Sequence, residues 1–311
     1  MTEPHEGEIV GISEQAKEQR LFVERAATGH DPVTLVGDPG TGKQLMAKLI
    51  HSRSPRCDAP FLMIDCSLYY ERELSRELFG YHSGNAKCKP RKGLFDFAGN
   101  GTCYLSRIEE LTPTLQECLL RFLCTGRYSR LGDGKEISSG VRLVVSSDKN
   151  LQGFVEAGLF DATLYERLSP LMVRLVSLRE RKEDIAALVE FVTNRFAAVD
   201  PRGERMVFSQ EAMQALEAYP WPNNFDEILK EIQRLLECGF KFVRCENLAM
   251  EISSYWLGQH GDPLLRKVLE ELDGYIKEFK VLSHIEAGLG ELVPSVEGLY
   301  GQSERDLPED Y

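Results

Sequence analysis

The stretch Val33-Thr34-Leu35-Val36-Gly37-Asp38-Pro39-Gly40-Thr41-Gly42-Lys43-Gln44 decides the fold. Its first four residues are apolar or β-branched and predict a buried strand, and the Gly-x-x-x-x-Gly-Lys pattern that follows is typical of a phosphate-binding loop. The glycines allow a tight turn in which consecutive backbone N–H groups converge on phosphate oxygens, and Lys43 adds a positive charge. Apolar residues at helical spacing come next and predict a helix whose N-terminus points at the same place: Leu45, Met46, Leu49 and Ile50.

The order of strand, glycine-rich loop, lysine and helix favours nucleotide binding over a glycine-rich turn that binds nothing. One position departs from the general motif. The residue after the lysine is usually a Ser or Thr whose hydroxyl reaches magnesium, whereas this chain has Gln44. The sequence therefore predicts a nucleotide as the ligand, with magnesium bound weakly or not at all.

Composition and charge narrow the class of protein. A chain of 311 residues is long enough for about two domains, and 42% hydrophobic with 28% charged residues is ordinary for a globular protein. The net charge of −12 argues against a broad nucleic-acid footprint. No apolar run approaches the length of a membrane span, and the start Met1-Thr2-Glu3-Pro4 is not that of a signal peptide, so we expect a cytoplasmic protein without membrane contact.

The eight cysteines include no Cys-x-x-Cys pair, and most of them lie in apolar surroundings. This usage favours buried, reduced thiols over disulfides or zinc ligands. We therefore expect no metal site built from cysteine.

Strands alternate with helices through the first part of the chain, which predicts an α/β fold with a parallel sheet covered on both faces. After residue 178 the apolar spacing becomes helical throughout, so a second, smaller helical domain is expected to begin there. The predicted domains are residues 1–177, 178–258 and 259–311, the last holding a helix and an acidic tail. Besides the strand at 33–36, the predicted strands are 61–64, 103–105, 141–145 and 172–176, and the predicted helices include 14–28, 74–79, 183–196, 209–218, 225–238 and 263–282.

Several separate motifs occur together and in order along this chain. From about residue 9 to about residue 248 the chain resembles the AAA+ domain of sigma-54-dependent transcriptional activators. The resemblance implies the AAA+ P-loop NTPase fold with a small helical lid, and ring assembly with ATP at the subunit interfaces. The motifs that carry it, besides the phosphate loop, are Pro60-Phe61, Cys66, Glu77-Leu78-Phe79-Gly80, Gly101-Thr102, Leu178-Arg179-Glu180-Arg181, Asp184-Ile185 and Trp221-Pro222-x-Asn224.

The resemblance fails at the positions that hydrolyse ATP. The family's phosphate loop ends in Lys-Glu, so Gln44 is a Glu-to-Gln change, and the Asp-Glu pair that ends the family's Walker B strand is Ser106-Arg107 here. In the family the aspartate would hold magnesium and the glutamate would polarise the attacking water. Serine is a poor magnesium ligand and arginine cannot act as a base. An arginine here is expected to be drawn to the phosphates or to a nearby carboxylate.

Five further positions complete the comparison with the family. The Asn beside Cys66 is Asp65, and the sensor position keeps a hydroxyl in Ser147. The first of two arginines that reach across the subunit interface is Asp161, and only the second, Arg167, is present. The lid arginine that follows the Trp-Pro motif is Asp226.

These losses predict that turnover is negligible. Losing a general base costs about 10² to 10⁴ in rate, and losing an interfacial arginine costs about 10³ to 10⁵. Glu109 or Glu110 could replace the base only after a register slip, which would turn the side chains to the opposite face of the strand.

We therefore expect an ATP- or ADP-binding, hydrolysis-deficient AAA+ protein that acts as a regulatory or scaffolding protein through protein–protein contacts. Its partner would be an active AAA+ relative or a second copy of itself. Two alternatives stay open. One is an active ATPase and sigma-54-dependent regulator with relocated catalytic groups, and the other is an interaction module whose nucleotide site is dead.

The loop with which this family grips sigma-54 is also altered. The family's Gly-Ala-Phe-Thr-Gly-Ala aligns with residues 84–89, where the apolar tip is gone and the loop is two residues shorter. Four basic residues, here called the basic segment, leave two interpretations open, a solvated loop without a partner and a contact with an acidic protein surface or nucleic acid, and we expect the contact with an acidic protein surface: Lys87, Lys89, Arg91 and Lys92.

The C-terminal part of the chain matches the family's DNA-binding helix-turn-helix only in part. Ala287-Gly288-Leu289-Gly290 and Leu299-Tyr300 match landmarks of the family's DNA-reading helix-turn-helix, but their spacing is too long. Pro294 and Gly298 would interrupt the recognition helix. We expect no DNA binding by this segment.

Overall fold

A computed structural model describes residues 8–82, 91–199 and 205–260. The chain divides into two compact units, residues 1–249 and residues 250–311. The first unit carries a five-stranded sheet with helices, followed by a helical part. Of the second unit the described residues form one helix. Predictions for Lys87, Lys89 and the C-terminal residues 263–300 lie outside the described residues.

The strands of the first unit form one parallel sheet and two small pairs. The sheet has the order β2-β3-β6-β1-β7, which confirms the α/β prediction. Strands β4 and β5 form an antiparallel hairpin, and β8 pairs with β9 in the helical part. The bounds are β1 Val33–Val36, β2 Phe61–Asp65, β3 Thr102–Ser106, β4 Arg127–Ser129, β5 Glu136–Ser138, β6 Arg142–Ser147, β7 Met172–Arg174, β8 Val207–Phe208 and β9 Phe242–Val243.

Eleven α-helices lie in the described residues. Ser13 accepts a hydrogen bond from the Ala16 N–H and Ser209 accepts one from the Ala212 N–H, so each of these side chains caps the helix that follows it. The bounds are α1 Glu14–Thr28, α2 Lys43–Ser52, α3 Glu71–Phe79, α4 Leu94–Ala98, α5 Pro113–Thr125, α6 Leu151–Glu156, α7 Ala162–Leu168, α8 Glu183–Val199, α9 Gln210–Ala218, α10 Asn224–Glu237 and α11 Met250–His260.

The alternation of side chains along the strands builds one core on each face of the sheet. In β3, Tyr104 packs with buried residues of α1 and α2, whereas Cys103 and Leu105 pack with α3, α5 and α7. Successive side chains of a strand point to opposite faces, so a fully buried strand needs apolar residues at every position. The register pairs Asp65 with Ser106 and Val36 with Ser147 at the carboxyl edge of the sheet, where ligands bind in such folds.

The cysteine prediction is partly wrong. No disulfide joins the seven cysteines of the described residues. Only Cys66 and Cys103 are buried, and burial raises the pKa of each thiol to about 12. Three others are exposed because they lie on the outer face or at the end of a helix or in a turn: Cys57, Cys124 and Cys238. No helix within the described residues is long and apolar enough to span a bilayer.

Candidate nucleotide-binding site

The phosphate loop joins β1 to α2 in a conformation that glycine permits. Gly40 has φ 73° and Gly42 has φ 92°, both in the left-handed region that side chains disfavour. A Cβ atom at Gly40 would lie 2.0 Å from the Asn223 carbonyl oxygen, so the lid leaves no room for a side chain there. The Thr41 hydroxyl donates to the Asp38 carbonyl at 2.8 Å and closes the turn.

Lys43 is buried beneath this loop, and its ammonium group has three partners. Nζ donates to the Gly37 carbonyl at 2.6 Å and to the Asp38 carbonyl at 2.8 Å. It also lies 2.6 Å from Oδ1 of Asp148, the residue that follows β6. An ammonium group has three N–H donors, so a phosphate that binds Lys43 competes with Asp148. Asp148 is not among the site residues predicted from the sequence.

Arg107 and Asp65 form a bidentate ion pair at the carboxyl edge of the sheet. Arg107 Nε donates to Asp65 Oδ1 at 2.8 Å, and Nη2 donates to Oδ2. Asp65 also accepts from the Ser67 N–H at 3.1 Å. Arg107 was expected to pair with phosphate or with a nearby carboxylate, and in the structure it pairs with the carboxylate of Asp65. A planar guanidinium matches a carboxylate in this two-bond geometry.

The helical part of the first unit holds the phosphate loop from the other side. Asn224, at φ 52°, donates from Nδ2 to the Pro39 carbonyl at 2.8 Å and accepts from the Leu178 N–H at 2.7 Å. The Phe225 N–H donates to the Gly40 carbonyl at 3.0 Å. Trp221 is fully buried and donates to the Leu216 carbonyl. The Trp-Pro motif therefore positions α10 against the loop.

The cavity beside the phosphate loop has a volume of about 510 Å³, which lies in the range of small-ligand sites. At one end lie the phosphate loop and the Asp65–Arg107 pair. Arg181 also lines the cavity, stacked on the Phe225 ring at 4.6 Å, and burial lowers the pKa of its guanidinium. The apolar residues that line it include Ile9, Val10, Leu188, Phe191 and Leu229. The arrangement combines a phosphate-binding end with a largely apolar wall.

Asp38 ties the loop to the start of the helical part. Its Oδ2 accepts from the Ser177 hydroxyl and lies 3.0 Å from Nη2 of Arg179. The hydrogen bond from Ser177, followed by the charge of Arg179, lowers the pKa of Asp38. The carboxylate is therefore ionised at neutral pH and keeps the loop connected to the Leu-Arg-Glu-Arg motif.

The remaining predicted site residues fall into two groups. Ser106, Gln44 and Asp226 line the cavity, and Gln44 is exposed. Ser147 is buried and does not line the cavity. Its hydroxyl donates to the Lys149 carbonyl and accepts from the Lys149 N–H. Residues on the outside of the chain are Asp161, which caps α7 by accepting from the Leu164 N–H, Arg167 in the last turn of α7, and the exposed Arg91 and Lys92.

The two glutamates considered as a replacement base do not reach the cavity. Glu109 is buried, and its Oε1 accepts from the Asp148 N–H at 2.9 Å, while Glu110 is exposed. Neither lines the cavity beside the phosphate loop. The pairing of β3 with β2 and β6 places Ser106 and Arg107 at the edge instead, without a register slip.

The donor set does not fit a magnesium ion of the family's kind. Magnesium takes oxygen ligands and is held in such sites by carboxylates together with phosphates. Of the four carboxylates that line the cavity, Asp65 and Asp148 are paired with Arg107 and Lys43, which leaves Asp226 and the exposed Glu8. Within the described residues no group of three or more His, Cys, Asp or Glu residues is placed to hold a metal.

These features define a P-loop nucleotide-binding fold with a helical lid, and comparison with known families agrees. Residues 9–174 match the sigma-54 interaction domain, and residues 179–254 match the AAA+ ATPase lid domain. The first match covers more than half of the chain, so the chain belongs to the sigma-54 interaction domain family. The resemblance seen in the sequence motifs is confirmed.

Relatives and solved structures support the same assignment. The Nif-specific regulatory protein of Azospirillum brasilense is 36% identical over 249 residues, which cover 79% of this chain and 40% of that protein. The transcriptional regulatory protein XylR of Pseudomonas putida is 34% identical over 300 residues, covering 92% and 52%. NtrX from Brucella abortus in complex with ATP superposes with a TM-score of 0.71 at 29% identity, covering 79% of this chain and 55% of that one. The chain thus spans about half the length of these relatives.

The contact between Lys43 and Asp148 gives a first prediction. Asp148→Asn removes the carboxylate that competes with phosphate for Lys43, so ATP and ADP affinity is expected to rise about tenfold, or about 1.4 kcal/mol. Isothermal titration calorimetry measures the change. Asp58→Asn, an exposed aspartate outside the cavity, is the matched control and is expected to leave affinity unchanged. Equal affinities for Asp148→Asn and the unmodified chain would contradict the competition.

Proposed function

We propose that this chain binds ATP or ADP at the phosphate loop, does not hydrolyse ATP, and acts as a regulatory or scaffolding protein. One observation carries the proposal. Arg107 takes the place of a catalytic acid at the edge of the sheet and pairs with Asp65. A site of this kind keeps groups that attract phosphate and lacks the groups that activate water.

Nucleotide binding is supported by the geometry of the loop and by the relatives. The loop, Lys43 and the N-terminus of α2 are arranged around one cavity of about 510 Å³. NtrX from Brucella abortus, which is similar over 79% of this chain, has been solved in complex with ATP. We extend that ligand to this chain on the basis of the matching loop.

The absence of hydrolysis is supported by which side chains reach the cavity. A general base must lie within hydrogen-bond reach of the water that it activates. Ser106 and Arg107 line the cavity, whereas Glu109 and Glu110 do not. Asp161 and Asp226 also stand where the family has arginines that stabilise charge in the transition state.

Two measurements on the purified chain test the proposal together. Titration calorimetry is expected to detect ATP and ADP binding that Lys43→Ala abolishes. A phosphate-release assay is expected to give background rates in the same preparation. Binding with steady hydrolysis would favour the active regulator, and the absence of binding at saturating nucleotide would favour a dead nucleotide site.

The proposal extends to the binding partners of the protein and to its location in the cell. We propose a cytoplasmic protein that contacts an active AAA+ relative or a second copy of itself, with domains at residues 1–177, 178–258 and 259–311. The basic segment supports an acidic partner surface, because its charges oppose the net charge of −12. Arg91 and Lys92, its two described members, are exposed.

Charge reversal of the basic segment tests this contact. Replacing Lys87, Lys89, Arg91 and Lys92 by Glu is expected to slow association with the acidic partner at least ~10-fold at low salt, because opposite charges steer encounter. The measurements are quantitative capture from the native cytosol at low and high salt, and binding to purified sigma-54, where no binding is expected.

The matched control reverses four exposed basic residues elsewhere: Lys17, Arg127, Lys135 and Arg244. This control changes the net charge by the same amount and is expected to keep most of the association rate. Equal loss in both variants would show an effect of net charge alone. Binding of the unmodified chain to sigma-54 with promoter opening would contradict the whole proposal.

A further inference from the structure

We propose that Arg107 supplies the positive charge that magnesium supplies elsewhere in the family, so that this chain binds its nucleotide as a metal-free anion. The inference rests on the proposed nucleotide site and specifies the ionic form of the ligand. It follows from the position of Arg107, from its partners, and from the side chains that replace the expected magnesium ligands.

Arg107 is held at the phosphate end of the cavity. It directly follows β3, lines the same cavity as Lys43 and Ser106, and its side chain is 38% exposed, so a ligand can reach it. Its backbone lies in the left-handed region, with φ 54° and ψ 52°. Residues other than glycine adopt this conformation rarely, and it occurs where the surroundings impose it, often at functional sites.

The pairing with Asp65 orients the guanidinium of Arg107 and leaves some of its N–H donors available to a ligand. Arg107 contacts Asp65 through Nε and Nη2 only, and no described residue accepts a hydrogen bond from Nη1. Nη1 carries two N–H groups, which can donate to phosphate oxygens while the pair with Asp65 remains. Arginine is favoured for phosphate because its fork of donors stays charged at every ordinary pH.

The same residues disfavour a divalent cation. The Ser106 hydroxyl bonds weakly to the Ile64 carbonyl at 3.4 Å, and Gln44 is a neutral amide. The carboxylate of Asp65 is engaged by two donors of Arg107, so it is not free to coordinate a metal. A guanidinium beside the phosphates also repels magnesium, so two cations would compete for one place. Arginine and magnesium are therefore alternative sources of positive charge beside the phosphates, and in this chain the arginine takes that position.

The primary experiment measures ADP and ATP affinity by calorimetry in excess Mg²⁺ and in excess EDTA. The two dissociation constants of the unmodified chain are expected to agree within about threefold, because the protein offers the metal few ligands. Exchanging the site to the family's acids, Ser106→Asp with Arg107→Glu, is expected to make binding at least ~10-fold tighter in Mg²⁺ than in EDTA.

Neutralising Arg107 separates its role from that of the loop. Arg107→Gln is expected to weaken binding in EDTA about tenfold or more, since hydrogen bonds to charged groups are the strong ones. Arg53→Gln is the matched control, because Arg53 also pairs with a carboxylate, Glu24, has 35% of its side chain exposed, and does not line the cavity. This control is expected to bind like the unmodified chain.

The Asp65→Asn variant tests why Arg107→Gln binds nucleotide more weakly. The cause could be the missing Arg107 charge or the unpaired Asp65 carboxylate that the substitution leaves behind. In the Asp65→Asn background Arg107→Gln is still expected to weaken binding about tenfold, because the charge that meets the phosphates is removed in both backgrounds. An effect of Arg107→Gln that disappears in this background overturns the inference. So does a dissociation constant of the unmodified chain at least ~10-fold lower in Mg²⁺ than in EDTA. Absence of binding in both buffers overturns the nucleotide site itself, and the inference with it.

Discussion

The unmodified chain is expected to release phosphate from ATP no faster than its Lys43→Ala variant. Two losses act at the chemical step. A missing general base costs about 10² to 10⁴ in rate, and a missing interfacial arginine costs about 10³ to 10⁵. The motif resemblance assigns Arg107 and Asp161 to the corresponding positions, and Asp161 is engaged as the cap of α7. Either loss alone is expected to make turnover negligible.

Phosphate release is measured over a range of protein concentrations, so that any ring assembly is included, with a hydrolytically active family member as positive control. Ser106→Asp with Arg107→Glu is expected to stay at background, because Asp161 and Asp226 still replace arginines. Adding Asp161→Arg and Asp226→Arg supplies the missing groups and is expected to raise the rate about 10³-fold or more over the unmodified chain. Steady hydrolysis by the unmodified chain that Lys43→Ala removes would refute this prediction.

Local patterns in the sequence were sufficient to predict most of the fold. Apolar runs of three to five residues gave the strands of the parallel sheet, and helical spacing gave α1, α8, α9 and α10. The β4–β5 hairpin was missed because its strands are three residues each and mostly polar, so that neither periodicity nor burial distinguishes them from a loop. The small β8–β9 pair was missed because each of its strands has only two residues, which is too short to show any periodicity.

The candidate site was predictable residue by residue but not as a set of contacts. From the sequence, Arg107 could pair either with the phosphates or with a nearby carboxylate. The strand register places Asp65 beside Ser106, and this brings the Asp65 carboxylate within hydrogen-bond distance of Arg107. The contact of Lys43 with Asp148 was missed because it joins the end of β6 to the loop after β1, and such pairing depends on strand order. A single sequence with no strand order assigned cannot give that distance.

Asp184 is the most consequential residue whose role the sequence did not reveal. It is fully buried and accepts hydrogen bonds from the Ile12 N–H at 2.7 Å, the Ser13 N–H at 2.8 Å and the Ser13 hydroxyl at 2.6 Å. Its Oδ2 also lies 3.8 Å from Nη1 of the buried Arg181. The segment it holds includes Ile9 and Val10, which line the cavity. Asp184 therefore connects the start of α8 to one wall of the candidate site.

Asp184→Ala is expected to destabilise the chain by about 3 to 5 kcal/mol, because it removes the counter-ion of the buried Arg181 and the acceptor for the buried Ser13 N–H and hydroxyl. For a unit of this size each kcal/mol lowers the melting temperature by about 2 to 4 °C, so a fall of roughly 10 °C is expected in a thermal unfolding scan. Asp184→Asn keeps an acceptor for the N–H donors and is expected to lose less. Asp58→Ala, at an exposed position, is the control and is expected to melt within about 1 °C of the unmodified chain. If Asp184→Ala melts with that control, the buried network does not hold the wall of the cavity in place.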